Sequence, residues 1–354
     1  MENGNLSKAY PMNGGHGLHS YANNSSSQRG AVDSVKELIK EAIIEKLDIK
    51  INSASNNTFQ ITDMGCSTGP NTFVAVQNII EAIEIKYETL EGVQVEFQVF
   101  LNDHSSNDFN TLFSSLPTNR QYYAIGVPGS FHGRLFPNAS LHIVHSSYAL
   151  QWLSQVPKEI VDKSSPAWNK GRIHYSDSGD QTVKAFKDQF DRDMDCFLDF
   201  RAKEVIAGGL VILTFPGRLG GIPHSQVFSN VAYDLLGSCL MDLANKGIIS
   251  KEKVDSFNIP IYFPSAEELE EGIERNGCFN VERSVSIPLK KTQDSILTKA
   301  RMISSHTRAG LEPLLKDQFG QDIMDELFDS FVMKIQNSTV FQFGVACNLF
   351  LLIK

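Results

Sequence analysis

Three features are scarce in this 354-residue sequence: long apolar runs, paired cysteines and excess positive charge. No run approaches the ~18 apolar residues that cross a bilayer, so we expect no membrane association. The first thirty residues are rich in Asn, Gly and Ser and lack an apolar signal-peptide core, so we expect a cytoplasmic location. The five cysteines are scattered without a CxxC pair, which predicts reduced thiols and no metal site.

The charge balance is acidic, with a formal net charge of −9 at pH 7 and no stripe of Lys and Arg. This pattern argues against nucleic acid as a partner, because a polyanion needs a basic surface. The composition, 42% hydrophobic and 21% charged, is that of an ordinary folded protein. A chain of this length can hold one large α/β domain with a substantial cap.

Five short apolar segments are predicted to form β-strands, and their composition is typical of a sheet buried on both faces. They are Thr58–Met64, Val95–Leu101, Tyr122–Val127, Leu141–Val144 and Leu210–Phe215. Helical patterns at Ala31–Leu47 and Asn71–Tyr87 lie among them, and Val281–Ile287 and Ala346–Ile353 are expected to add edge strands. The sequence therefore predicts an α/β fold with a doubly wound, mostly parallel sheet.

Two further helical stretches, Ser225–Glu274 and Thr292–Ile335, are not needed to complete the sheet. We predict that both belong to an α-helical cap over the carboxyl edge of the strands, where open α/β sheets bind ligands. The expected organisation is a flexible segment that closes over the site, a ligand-binding α/β core, a mainly helical cap with interleaved core strands, and a final core strand. Their ranges are 1–30, 31–216, 217–335 and 336–354.

The strongest local motif is Ile61–Asn71, in which a strand enters a glycine turn and then a helix. Gly65 and Gly69 allow the backbone to pass close to a ligand, although a tight turn without a ligand would also explain the pattern. Asp103 follows the next strand. A carboxylate at this position can accept hydrogen bonds from both hydroxyls of a ribose, or it can cap a turn. Together the two elements favour a nucleoside ligand.

The residues in the turn discriminate among nucleoside ligands. Gly69-Pro70-Asn71 lacks the Gly-Lys-Ser/Thr of a P-loop, which excludes nucleoside triphosphates. Asp63 stands beside the turn and would repel the pyrophosphate of a nicotinamide cofactor. S-adenosylmethionine has no phosphate and carries a cationic sulfonium and ammonium, so an acidic turn suits it.

The segment Val127–Pro137 follows the third strand and misses the GxSxG nucleophile elbow, because Pro128 and His132 stand where glycines are required. A serine hydrolase is therefore not expected. Phe131 is instead a candidate to lie on an adenine ring and Ser130 to bond a ring nitrogen, with simple packing as the alternative for the aromatic.

After the fourth strand, Tyr148 and Trp152 are four residues apart and are expected to share a helical face. Such a pair often belongs to a core, but the carboxyl edge of the sheet favours substrate contact. His145, at the end of the strand, is expected to serve hydrogen bonding rather than proton abstraction.

These motifs, in this order, resemble the plant SABATH methyltransferases, which methylate salicylic, benzoic, jasmonic and related acids and, in one branch, xanthine nitrogens. The resemblance runs from about Met12 to the C-terminus and includes Ser20–Ser25 with Gln28, Phe257–Pro260 and Glu312–Leu315. It implies a methyltransferase sheet with one antiparallel edge strand, a helical cap, S-adenosylmethionine as co-substrate and a homodimer.

The resemblance also implies the site residues. Those implied to hold S-adenosylmethionine are Tyr21, Ser25, Asp63, Asn71, Leu101, Asp103, Ser130 and Phe131. Those implied to surround the methyl acceptor are Gln28, Tyr148, Gln151, Trp152, Tyr233 and Thr307. A carboxylic acid with a pKa of roughly 4–5 is already ionised at neutral pH, so no general base is expected. Gln28 and the indole N–H of Trp152 can each donate a hydrogen bond that orients the acid.

The sequence departs from the salicylate-type members at Asn13, where they have Lys, and at Gln151, where they have Met. Asn and Gln also occur there in the xanthine branch. We expect methyl transfer to a small carboxylic acid, because most of the family performs it, with xanthine N-methylation and acid binding without turnover as alternatives. Where the salicylate-type members have bulky Trp, Ile, Met and Val, this chain aligns Tyr233, Ala232, Thr307 and Gly310. Because several of these side chains are smaller here, we expect a larger pocket and a preference for an acid longer than benzoate.

Overall fold

The structure is a computed structural model that describes residues 11–49, 58–88, 95–289, 293–339 and 344–354. Within these ranges one sheet contains seven strands: β1 (Thr58–Met64), β2 (Glu96–Asp103), β3 (Tyr123–Pro128), β4 (Leu141–Ser147), β5 (Val205–Gly217), β6 (Val281–Pro288) and β7 (Cys347–Ile353). Their spatial order is β3-β2-β1-β4-β5-β7-β6. The five predicted core strands all form. The apolar residues of β1, β2, β4 and β5 are largely buried, whereas β3, at the edge of the sheet, is only partly buried.

Strands β1 to β5 run parallel, which brings their carboxyl ends to one edge of the sheet. The antiparallel strand β7 inserts between β5 and the outermost strand β6. The predicted fold class, a mostly parallel α/β sheet with one antiparallel strand, is confirmed, and the antiparallel strand lies second from the edge.

The helices of the described ranges are α1 (Ser26–Lys46), α2 (Asn71–Tyr87), α3 (Phe109–Ser114), α4 (Asp180–Glu204), α5 (Phe228–Asn245), α6 (Lys251–Asp255), α7 (Ala266–Asn276), α8 (Ile296–Phe319) and α9 (Met324–Asn337). Alternate strand residues bury opposite faces of the sheet. In β5, Ile212 packs with α1 and α2, whereas Leu213 packs with α4 and α7. None of these helices combines the length and apolar character needed to span a bilayer.

Helices α5, α6, α8 and α9 share a separate apolar cluster around Leu240, Leu315 and Phe331, and they form the cap. The end of the stretch predicted as cap, Ser225–Glu274, belongs elsewhere. Helix α7 packs on α4 and β6 and buries Leu269 and Ile273 in the core cluster. A capping box at Ser265 starts a new helix here. Its apolar residues Leu269 and Ile273, four positions apart, lie on one face, which packs toward the sheet and not toward the cap.

Candidate active site

A cavity of about 270 Å³ lies at the carboxyl edge of the parallel strands, between the sheet, residues 11–28 and the cap. Nine of the fourteen site residues predicted from the sequence line it: Tyr21, Gln28, Asp103, Phe131, Tyr148, Gln151, Trp152, Tyr233 and Thr307. The other five lie outside the lining: Ser25, Asp63, Asn71, Leu101 and Ser130. The predicted residues thus gather around one cavity, some facing it and some behind it.

The glycine turn after β1 lies against the floor of the cavity. Gly65 has a φ of +84°, and a Cβ added there would collide with the Cβ of Ala149. The amide N–H of Gly65 donates to the main-chain oxygen of Asn102 at 2.9 Å, and the Asn102 side chain donates to the carbonyls of Val127 and Gly129. Asn102, which the sequence did not single out, therefore joins the ends of β1, β2 and β3.

Asp103 at the end of β2 presents its carboxylate to the cavity. Its two oxygens accept the backbone N–H groups of Ser67 and His104, each at 2.7 Å. Burial nevertheless raises the pKa of Asp103 to about 6, because removal from water disfavours the charged form more than the two amide bonds favour it. Each oxygen retains a lone pair for a ligand hydroxyl.

Asp63 is turned away from the cavity and is only 4% exposed. One of its oxygens accepts from Nδ1 of His145 at 2.7 Å, and the other accepts from the hydroxyl of Thr72. The carboxylate thus links β1 to β4 and to the first turn of α2. His145 is occupied by this contact, in line with the hydrogen-bonding role expected from the sequence.

Ser25 and Asn71 fasten the start of α1 to the start of α2. The side-chain amide of Asn71 donates to the carbonyl and the hydroxyl oxygen of Ser25, at 3.1 and 2.9 Å. The ring of Tyr21 packs over Gly69, where a Cβ would lie 3.1 Å from ring carbons. This close approach favours glycine as the second glycine of the turn motif, because a Cβ would press on the ring of Tyr21.

The loop that carries Phe131 is anchored to α4 by hydrogen bonds to Arg201 and Glu204, which form a buried ion pair within that helix, 2.7 Å apart. Arg201 donates to the carbonyls of Phe131 and Gly133, and Glu204 accepts the amide N–H of Phe136. This pair was not predicted from the sequence. Its signal was two charged residues, three apart, at core-facing positions of an amphipathic helix.

The predicted helix through Tyr148 and Trp152 is wrong, although both side chains line the cavity. Tyr148 has a φ of +56°, which a helix cannot include. Its amide N–H donates to the carbonyl of Thr214 and its hydroxyl donates to Oδ1 of Asn348 at 2.5 Å. Contacts with β5 and β7, distant in sequence, therefore override the local spacing.

The segment before α1 is fastened to the cap. The side-chain amide of Asn13 donates to Oε2 of Glu312 at 2.7 Å, and its main-chain N–H donates to the carbonyl of Ala309 at 2.9 Å. The imidazole of His306 forms hydrogen bonds with the hydroxyls of Ser26 and Ser27, each at 2.9 Å. These contacts hold residues 12–28 across the cavity. The side chain of Asn13, the residue aligned with the Lys of the salicylate-type members, is therefore engaged in a hydrogen bond to the cap.

The chemistry of the site fits S-adenosylmethionine. Asp103 offers lone pairs for ribose hydroxyls, and Phe131 offers an aromatic ring at the cavity wall, which Gly65 also lines. No group of three or more His, Cys, Asp or Glu side chains suited to a metal ion gathers among the residues described. Fold and site together define the class of S-adenosylmethionine-dependent methyltransferases.

Comparison with known proteins narrows this class. A family model described as SAM-dependent carboxyl methyltransferase matches residues 7–353, so the chain belongs to that family. Loganic acid O-methyltransferase of Catharanthus roseus is 48% identical over 334 residues, which cover 94% of this chain and 89% of that protein. Farnesoic acid carboxyl-O-methyltransferase of Arabidopsis thaliana is 42% identical over 332 residues, 94% of each chain.

A solved structure, that of loganic acid methyltransferase with SAH, matches this fold with a TM-score of 0.92 and 47% identity. The match covers 97% of this chain and 98% of that one. The protein is thus an S-adenosylmethionine-dependent carboxyl methyltransferase, and the expected methyl donor and reaction are confirmed.

Proposed function

We propose that this enzyme forms the methyl ester of a carboxylic acid larger than benzoate. The observation that carries the proposal is the cap wall of the cavity, where Ala232 and Gly310 present almost no side chain. Gly310 and Met12 both line the cavity, and a Cβ on Gly310 would lie in ordinary contact with Sδ of Met12, at 3.6 Å, so a larger side chain at Gly310 is expected to narrow the cavity there. The relatives named for loganic and farnesoic acids, both larger than benzoate, support this size class.

The proposed cofactor set keeps the eight residues expected from the sequence, with two kinds of contribution. Asp103, Phe131 and Tyr21 line the cavity and are proposed to contact S-adenosylmethionine directly. The other five are proposed to shape the turns that hold it: Ser25, Asp63, Asn71, Leu101 and Ser130. When bound, the co-substrate supplies an electrophilic methyl group on a cationic sulfur.

The acceptor is proposed to be oriented by hydrogen bonds rather than by an ion pair. No Lys or Arg is among the cavity-lining residues within the described ranges, and burial lowers the pKa of the lining His306 to about 4, which leaves it neutral at pH 7. The amide of Gln28 and the indole N–H of Trp152 are the proposed donors to the carboxylate. Tyr148, Gln151, Tyr233 and Thr307 are proposed to pack around the rest of the acid.

Exclusion of water is the remaining task of the chain. The carboxylate is already ionised and needs no general base, so the rate depends on position and on a dry cavity. The segment held by Asn13 and His306 covers the cavity and is proposed to open for entry and release. We further propose a cytoplasmic homodimer, to be tested by cell fractionation and by light scattering after size exclusion.

The acceptor proposal is tested with methyl-labelled S-adenosylmethionine and a panel of benzoate, salicylate, jasmonate, farnesoate, loganate and a xanthine. We expect the highest kcat/KM on one of the larger acids, and we expect Gly310→Val to shift selectivity toward the smaller ones. Gly30→Val is the matched control, because Gly30 is an exposed helical glycine with no neighbour near its Cβ position. A preference for benzoate or salicylate that Gly310→Val leaves unchanged would contradict the enlarged cavity.

A further inference from the structure

Gln151 carries a buried hydrogen-bond acceptor that the protein leaves unused. The side chain lines the cavity, and the residue is only 6% exposed. Its Oε1 atom is shielded from solvent and accepts no hydrogen bond from any residue in the described part of the chain. An unpaired buried acceptor costs about 1–3 kcal/mol, so its natural partner is expected in a molecule that fills the cavity.

The orientation of the Gln151 amide follows from its other contact. Nε2 donates to the main-chain carbonyl oxygen of Tyr148 at 2.8 Å. A carbonyl can only accept, so the nitrogen must be the end that faces Tyr148 and the oxygen must be the end left over. The usual ambiguity between the two ends of a glutamine amide is therefore removed at this position.

Tyr148 is itself held in place, so Gln151 cannot easily turn to find another partner. The backbone of Tyr148 has a φ of +56° and is fixed by the bond from its N–H to Thr214 and by the bond from its hydroxyl to Asn348. The side-chain amide of Asn348 in turn donates to the hydroxyl of Ser34 in α1 at 3.0 Å. The carbonyl that orients Gln151 is thereby tied to β5, β7 and α1.

We propose that Gln151 accepts a hydrogen bond from a hydroxyl group of the methyl acceptor, so that the preferred acid is a hydroxylated one. The inference rests on the proposed esterification of a large acid. The carboxylate that receives the methyl group cannot be the partner, because an ionised carboxylate only accepts hydrogen bonds. An acid without the hydroxyl would leave Oε1 unpaired in the complex, and sites of this kind reject such analogues.

The experiment compares acids that differ by one hydroxyl group. Cinnamic acid is paired with ortho-, meta- and para-coumaric acid, and jasmonic acid with its hydroxylated form, tuberonic acid. Wild type, Gln151→Met and Gln155→Met are assayed for kcat/KM. Gln155 is the matched control, since it is exposed on the same loop and bonds Gln189 instead of facing the cavity. Affinity for S-adenosylhomocysteine and the melting temperature check that each variant is folded.

We expect at least one hydroxylated acid to be preferred over its parent by about 10- to 100-fold in wild type, the range that one buried hydrogen bond gives. We expect Gln151→Met to reduce that ratio to near one and Gln155→Met to leave it unchanged. Equal rates within every pair in wild type, or a preference that survives Gln151→Met, would overturn the inference. Turnover of neither parent nor hydroxylated acids would instead count against the proposed esterification of large acids.

Discussion

Asp103 allows a quantitative prediction about pH and cofactor affinity. Burial raises the pKa of Asp103 to about 6, so the free protein takes up a proton there more readily than an ordinary Asp does. The proposed ribose contacts need the ionised form, which accepts hydrogen bonds on both oxygens. Affinity for S-adenosylhomocysteine should therefore fall as the pH is lowered through 6 and level off above it.

The size of this change in affinity follows from the ionised fraction of Asp103. For a pKa of about 6, that fraction is about 0.9 at pH 7 and about 0.1 at pH 5. The dissociation constant should therefore be about tenfold higher at pH 5 than at pH 7, a difference of about 1.4 kcal/mol. Asp103→Asn should weaken binding at pH 7 by about 1.5–3 kcal/mol, through the loss of charge-assisted bonds, and should remove most of the pH dependence.

Isothermal titration calorimetry with S-adenosylhomocysteine from pH 5 to pH 8, on wild type and on Asp103→Asn, measures both effects. Melting temperatures at each pH confirm that the protein is folded. A flat wild-type affinity across this range would contradict the raised pKa of Asp103, and wild-type affinity in Asp103→Asn would show that Asp103 is not the ribose ligand.

Three further substitutions separate the roles proposed for the site. Trp152→Phe should lower kcat/KM for a carboxylate acceptor by about 5- to 100-fold, because one donor is lost, while calorimetry finds unchanged cofactor affinity. An equal loss of kcat/KM and of cofactor affinity would refute the role of Trp152 as a donor to the acceptor. Asp63→Ala should lower the free energy of unfolding in urea by about 1–3 kcal/mol, because it strands two buried hydrogen-bond partners; an unchanged value would contradict this. Asn13→Ala should speed limited proteolysis of the segment before α1, since the bond to Glu312 is lost, and a wild-type rate would argue against that tether.

Much of the fold was predictable because local pattern and final burial agree. Strand Thr58–Met64 and helix Asn71–Tyr87 begin and end at the predicted residues, since an apolar run and a periodic face both become core. Helix α4 was not identified from the sequence, and α7 was assigned to the cap although it packs on the sheet side. Periodicity shows that a helix has an apolar face but not which layer covers it.

The candidate site was predictable as a set of residues and not as a geometry. Spacing alone could not show that Asp63 turns toward His145, because that contact joins strands far apart in sequence. Spacing likewise failed at Tyr148, where Thr214 and Asn348 impose a positive φ. The unused oxygen of Gln151 could not be anticipated, since it depends on which end of the amide Tyr148 occupies.

The central claim, methyl transfer to a carboxylate, is tested most directly by the chemical stability of the product. The purified enzyme is incubated with methyl-labelled S-adenosylmethionine and a mixture of the acids and the xanthine, and the extracted product is treated with mild alkali. A methyl ester releases its label as volatile methanol, whereas an N-methyl group retains it. We expect alkali-labile label in an acid; label that withstands alkali on the xanthine would contradict methyl transfer to a carboxylate.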